Sequence, residues 1–222
     1  DLRQLLEKTA YTNYEILLPA RFENQINIQN DRLRYVSTET RHGMIQAAKG
    51  EYVALLNAGL VPTKNDWLKE LMNIGQQETS GLVTGRVVDA RYRVETVGVS
   101  VDTDKGRLLY PEKGTPGKSL GYYYRIALPR NIQAATEDCL LFNKQLYLNL
   151  EGINESLGKE WMGVDLSLQF ASAGKRNVYV SYAILKADEK MQNHDKKGSY
   201  KELAEKWTAE ALVDPYRNPK HL

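Results

Sequence analysis

Cysteine is nearly missing from this chain: Cys139 is the single one among 222 residues. No internal disulfide can form, and a reducing compartment, the cytoplasm, is the expected setting. Cys139 sits in Cys-Leu-Leu-Phe, a context that predicts a buried thiol rather than a nucleophile. Long apolar runs are also missing. None approaches the ~20 residues that span a bilayer, and the opening Asp-Leu-Arg-Gln-Leu-Leu-Glu-Lys-Thr lacks the apolar stretch of a signal peptide. The expectation is a chain without a transmembrane segment, at most peripheral to a membrane. Charge of one sign is lacking as well, since 30 Lys and Arg face 28 Asp and Glu for a net charge of +2. No global field attracts nucleic acid, and no nucleic-acid partner is expected. Internal repeats and low-complexity stretches are absent.

What is present is an ordinary globular composition, 42% apolar over a length that fits one large domain. Leu2, Leu5 and Leu6 have helical spacing. Tyr-Glu-Ile-Leu-Leu-Pro-Ala and Arg-Leu-Arg-Tyr-Val-Ser-Thr read as strands, with a short helix between Gly43 and Gly50 and a third strand in Glu-Tyr-Val-Ala-Leu-Leu-Asn-Ala-Gly. After Pro62, Asn65 or Asp66 can cap a helix with Trp67, Leu68, Leu71 and Ile74 on one face. Strands alternating with short helices predict a parallel, doubly wound α/β sheet with ligands beyond the strands' carboxyl ends, where Asn57, Ala58 and Gly59 fall.

The middle, from Gly81 to Leu109, is β-rich with turn signals, and 110–131 is a Gly/Pro/Tyr loop. Tyr110 and Tyr122 to Tyr124 suit either packing of that loop on its own domain or stacking on a sugar or base. Beyond it come a helical Asn-Lys-Gln-Leu-Tyr-Leu-Asn-Leu, a helix stopped by Gly174, the strand Asn-Val-Tyr-Val-Ser-Tyr-Ala-Ile-Leu and a closing amphipathic helix with Ser199 and Glu202 as capping box.

The order of these pieces resembles the family-2 glycosyltransferases of the GT-A fold, in particular bacterial enzymes that build surface polysaccharides. Leu-Leu-Glu-Lys-Thr-Ala-Tyr-Thr-Asn-Tyr-Glu-Ile-Leu-Leu is similar to the family's first helix and second strand. Residues 47–71 resemble its metal-loop stretch and following helix. Residues 81–99, 139–157, 161–180 and 214–222 resemble later segments in the right order, the last an Asp-Pro-Tyr-x-Asn-Pro terminus. The resemblance implies a GT-A fold, a mostly parallel sheet flanked by helices with a smaller antiparallel portion. Residues 1–80 would be the nucleotide-binding half and 81–222 the acceptor half with the C-terminal helix. The family's first strand has no counterpart here, which implies either a longer protein or a sheet completed differently.

Sugar transfer from a nucleotide donor, as the resemblance implies, needs a cation against the diphosphate, usually Mg or Mn held by Asp-x-Asp, and a carboxylate base. Asn57 and Gly59 stand at the Asp-x-Asp position, and a neutral amide is a poor ligand for a hard divalent ion. No cofactor is therefore expected. Where the family has Glu-Asp-x-Asp, the chain reads Met162, Gly163, Val164 and Asp165, so the base falls on Gly163 and only Asp165 matches. Pro19 and Ala20 replace the early acidic residue, and Ala187 the histidine after the last strand. His194, beside Asp188, Glu189 and Asp195, reads as a solvated loop residue, with His42 and His221 structural or terminal.

Several losses at one site beside an intact core lead to the expectation of a catalytically impaired domain that binds or scaffolds in polysaccharide or glycan assembly. Its partners would be a nucleotide-sugar, a glycan acceptor or a neighbouring catalytic domain. An alternative is an active, metal-independent transferase using Glu137 or Asp138, adjacent acids entering an apolar run, of which alternation lets one face a pocket. A further alternative is a protein-interaction module using the Tyr-rich loop and the closing helix.

Overall fold

A computed structural model describes residues 2–188 and 200–217. The chain runs α1 (Leu2–Glu7), β1 (Ile16–Pro19), β2 (Leu33–Val36), α2 (Arg41–Ala47), β3 (Tyr52–Leu56), β4 (Leu60–Pro62) and α3 (Trp67–Gly75). It continues through β5 (Ser80–Val88), β6 (Val94–Thr96), β7 (Ser100–Asp102), β8 (Arg107–Leu109), β9 (Arg130–Ile132) and β10 (Cys139–Asn143). α4 (Lys144–Leu148), α5 (Lys159–Ser172), β11 (Arg176–Ala187), α6 (Tyr200–Lys206) and α7 (Ala209–Leu212) complete it.

The main sheet has the order β3-β10-β5-β11-β4, with β6 on β5 and β9 on β11, while β1 with β2 and β7 with β8 form separate ribbons. The α/β class and the flanking helices agree with the sequence reading, and the sheet is mixed. β1 with β2 and β5 with β11 pair in parallel, and the other named pairings are antiparallel.

β5 is buried at every position because both faces of the sheet are covered. Period-2 alternation divides its neighbours between two clusters. Leu82, Leu140, Phe142 and Tyr179 meet Leu166 and Phe170 of α5 on one face. Val83, Cys139, Leu141 and Val180 meet Trp67, Leu68, Leu71 and Met72 of α3 on the other. The α3 stripe thus buries as its spacing predicts, though Asp66 at its N-cap makes no side-chain capping bond. A third cluster joins Val99 and Val101 to Trp161 of α5, Leu203 of α6 and Leu212 of α7.

The closing segment is not one helix. It breaks after Lys206, and the Thr208 side chain accepts from the Ala211 N–H to start α7. Leu203 and Leu212 are buried against the domain's own core, so the stripe read as an interface is spent internally. Ser199, half of the expected capping box, lies outside the described residues, as do His194 and His221.

Candidate functional site

β3 ends at Leu56, and the chain turns through Asn57, Ala58 and Gly59 into β4. The Asn57 N–H donates to the Asp138 carbonyl at 2.9 Å, tying the tip to the segment that enters β10. The Asn57 side-chain amide donates to Asp138 Oδ1 at 3.5 Å, and the Thr136 hydroxyl donates to Oδ2 at 2.6 Å. Asp138 is 3% exposed, so its carboxylate is a buried acceptor locking this corner. Gly59 has φ +92°, and a Cβ there would stand 2.9 Å from an Asp188 carboxylate oxygen. The Asp188 N–H donates to the Gly59 carbonyl at 2.9 Å, which brings an acid at the end of β11 beside the strand tip. Ala187 itself pairs with Leu60 and is buried.

This corner opens on a cavity of about 1500 Å³ whose lining includes Arg41, Asn57, Gly59, Glu137 and Gly163. Among the sequence candidates, Asn57, Gly59, Glu137 and Gly163 are therefore brought together, whereas Asp138, Asp165 and Ala187 stand outside the lining. Glu137 and Asp138 lie in the turn that precedes β10 rather than on the strand, and they diverge there, Glu137 to the cavity and Asp138 to the buried corner.

Gly163 has a steric reason to be glycine. A Cβ there would meet the Ala135 carbonyl oxygen at 2.5 Å, the Thr136 carbonyl carbon at 2.8 Å and the Glu137 nitrogen at 2.8 Å. Backbone, not a flexible side chain, occupies that space. The Ser167 hydroxyl reinforces the approach, donating to the Gly163 carbonyl at 2.6 Å and accepting from the Ala135 N–H at 3.1 Å. α5 and the 135–137 segment are thereby held in direct contact, and Glu137 projects from that contact into the cavity.

The Glu137 side chain is 10% exposed and meets Arg41 at 3.1 Å. Burial raises its carboxyl above the ordinary range, with Asp138 adding to the rise, against opposition from Arg41 and Lys159. Arg41 is held from two sides. Thr40 caps α2 by accepting from the Gly43 N–H, and Glu155 accepts from the Arg41 N–H at 2.7 Å. Sequence reading missed Arg41, because its partner is 96 positions away.

Asp165 has a different place. It is fully buried, and its carboxylate accepts from Gln169 Nε2 at 2.8 Å and Trp207 Nε1 at 2.7 Å, with Lys206 Nζ at 2.9 Å. Those contacts clamp α5 to α6. His42 shares a hydrogen bond with the Tyr147 hydroxyl at 3.0 Å. Burial raises the Cys139 thiol to about 12, which fits the packing role expected of it. Tyr110 joins the third cluster, while Tyr122, Tyr123 and Tyr124 are exposed, Tyr123 to 82%. Pro19 ends β1, and Ala20 opens a short 3-10 turn.

Among the described residues no group of three or more His, Cys, Asp or Glu side chains is placed to hold a metal ion, and the Asp138 oxygens are committed to Thr136 and Asn57. A hard ion such as Mg or Mn needs several oxygen ligands, carboxylates foremost.

No protein-family model matches the chain. A curated relative, "Uncharacterized protein y4gI" of Sinorhizobium fredii (strain NBRC 101917 / NGR234), is 24% identical over 248 residues, covering 98% of this chain and 27% of its own length. The chain thus spans about a quarter of that relative. Among solved structures it is similar to one described as "Crystal structure of GalNAc-T7 with UDP, GalNAc and Mn2+". The TM-score is 0.62 at 14% identity, with 89% of this chain and 42% of that one covered. The fold is that of the GT-A glycosyltransferases. No helix among the described residues is long and apolar enough to cross a membrane.

Proposed function

We propose that this is a GT-A domain that binds a nucleotide-sugar or a glycan acceptor in the cleft between Asn57 and Glu137, with impaired transfer. It would serve polysaccharide or glycan assembly by holding a substrate or a neighbouring catalytic domain. The observation that carries this reading is Gly163: the position at which the family resemblance calls for a base is packed against the backbone of 135–137. A side chain cannot be added there without moving the wall of the cleft. Asn57 supports the same view, because its amide stands where a metal carboxylate is expected and is bonded to Asp138.

Calorimetric titration of UDP and UDP-sugars, with manganese and then with EDTA, tests the reading. Binding of equal strength in both is expected. Micromolar binding that manganese creates and EDTA abolishes overturns it.

A second reading has an observation of its own. Glu137 is a nearly buried acid lining the cleft, and its raised carboxyl pKa moves it toward the range of a working general base. Arg41 beside it could meet the charge of a diphosphate without a metal. A donor hydrolysis screen separates the two, since turnover by the wild type that Glu137→Gln abolishes supports residual catalysis.

A further inference from the structure

The turn from Leu120 to Leu128 lines no part of the cleft cavity, yet it carries large side chains into solvent. Leu120, Tyr122, Tyr123, Tyr124 and Leu128 are between 51% and 82% exposed. The chain doubles back over this stretch, with the Ile126 N–H donating to the Leu120 carbonyl at 3.1 Å and the Leu128 N–H to the Tyr124 carbonyl at 3.0 Å, so the five side chains share one knob. Single apolar residues on a surface are ordinary, whereas a group of this size marks a surface that meets something.

The knob is fixed from beneath. Ile126 is fully buried. The buried Arg86 donates to the Ile126 carbonyl at 2.6 Å and to the Gly117 carbonyl at 2.7 Å, and the Tyr179 hydroxyl donates to the same Ile126 oxygen at 2.8 Å. On that base Tyr123 and Tyr124 have φ of +46° and +61°, a left-handed backbone that residues with a Cβ adopt at a cost. Such conformations persist where the surrounding structure over-determines them, and they gather at binding surfaces. The backbone of the knob is also satisfied from within. The N–H groups of Gly121 and Tyr122 donate to the side chains of Ser119 and Glu112, and those of Tyr124 through Leu128 donate to the carbonyls of Leu120, Gly121, Tyr122 and Tyr124. This is the condition for placing a turn in a medium without water.

We propose that this knob seats the protein on an anionic phospholipid surface, with Leu120 and Leu128 entering the acyl boundary and the three tyrosine rings at the headgroup level. Charge agrees. From Lys113 to Thr136 the chain carries Lys113, Lys118, Arg125 and Arg130 and no Asp or Glu, although cations and acids nearly balance over the whole sequence. Lys113 is paired with Glu95, and Arg130 donates to the Val97 carbonyl, which leaves the exposed Lys118 and Arg125, 5.5 Å over the Tyr122 ring, to meet lipid phosphates. Apolar side chains that enter the boundary, amphipathic rings at its level and cations against its charge together give peripheral binding. Other occupants fit less well. A glycan would stack on the rings but needs hydrogen-bonding partners for its hydroxyls, and the knob has spent its backbone groups internally; it also has no use for two leucines. A second copy in a two-fold contact would set like charges against each other. The knob lies outside the cleft, so the inference does not depend on the proposed function.

Vesicle flotation of the 222-residue chain tests the proposal, with phosphatidylcholine vesicles and with vesicles in which about a quarter of the lipid is phosphatidylglycerol. Capture by the anionic vesicles at low salt is expected, falling several-fold at ~0.5 M NaCl. Leu120→Ser with Leu128→Ser should lower the partition by roughly tenfold on both vesicle types. Lys118→Glu with Arg125→Glu should lower it by roughly tenfold on the anionic vesicles alone. The substituted side chains of the leucine pair are exposed, so its Tm should not change; if that variant does not fold, Tyr123→Ser gives the readout, with a loss of about threefold. Absence of wild-type flotation on anionic vesicles overturns the proposal, and so does flotation that neither the leucine pair nor Tyr123→Ser reduces. Two further results assign the knob elsewhere and also overturn it. One is retardation in a dextran gel that Tyr123→Ser abolishes, without flotation, which marks a glycan. The other is a dimer in sedimentation that the leucine pair dissolves, which marks a second copy.

Discussion

Removing the Asp165 carboxylate separates a structural clamp from a catalytic acid. It is fully buried, and it is the shared acceptor for Gln169, Trp207 and Lys206. In Asp165→Ala the Trp207 and Gln169 donors lose a buried partner, at roughly 1–3 kcal/mol for each group left unsatisfied. The Lys206 ammonium is not stranded, because its side chain is 26% exposed and also meets Glu151 at 2.8 Å. That exposure argues for less than the ~3–5 kcal/mol of a fully buried broken pair, so a net loss of about 2–4 kcal/mol is expected. Asp165→Asn keeps one acceptor oxygen and should lose about half as much. With a urea m-value of ~2 kcal/mol/M, the alanine variant moves the unfolding midpoint down by about 1–2 M. Ligand binding in the cleft, measured where the variant is still folded, should be unchanged. A midpoint within ~0.25 M of wild type, or lost cleft binding with full stability, would refute the clamp.

Gly163→Ala sets a methyl against the Ala135 carbonyl at 2.5 Å and should cost about 1–3 kcal/mol, weakening cleft ligands as Glu137 shifts; an unchanged Tm contradicts the close approach. Glu137→Gln tests the raised carboxyl by pH: the unfolded chain gives up this proton near the ordinary glutamate value of 4.5, whereas the folded chain keeps it to higher pH. Native stability from this group is thus complete below that pH and falls as pH rises through the folded value, so thermal scans should show the Gln variant gaining on wild type from about pH 4.5 upward. A gap that does not change with pH rejects the shift.

How much was legible follows the range of the interactions. The α3 stripe, the Gly174 stop, the buried Cys139 and the strand at Tyr52–Leu56 come from local periodicity and turn chemistry, and each stands in the structure. The break of the closing helix was readable, since Thr208 precedes Ala209 and Glu210 as a cap would, but the longer apolar stripe masked it. Pairings across the sheet were not readable. Nothing near Leu140 announces Leu55 as its partner, and nothing near Asp165 announces Trp207. Strand direction depends on such distant contacts, which is why short helices between strands suggested more parallel pairing than the sheet contains.

The same distinction bears on the site. As a string, Met-Gly-Val-Asp looks like the deletion of a base, with Asp165 as its survivor. In space, the glycine allows α5 to touch 135–137, that contact aims Glu137 into the cleft, and Asp165 faces the opposite side to hold α6. Loss of a carboxylate at 163 and presence of one at 137 are therefore a single structural event, because a side chain at 163 would displace the backbone that carries Glu137. Restoring an acid at 163 should not by itself restore a base: Gly163→Glu must first expel that backbone, and with it the Arg41–Glu137 pair. A compensated change has to open the 135–137 segment as well, and the pair's separation, now 3.1 Å, is the distance that would report it.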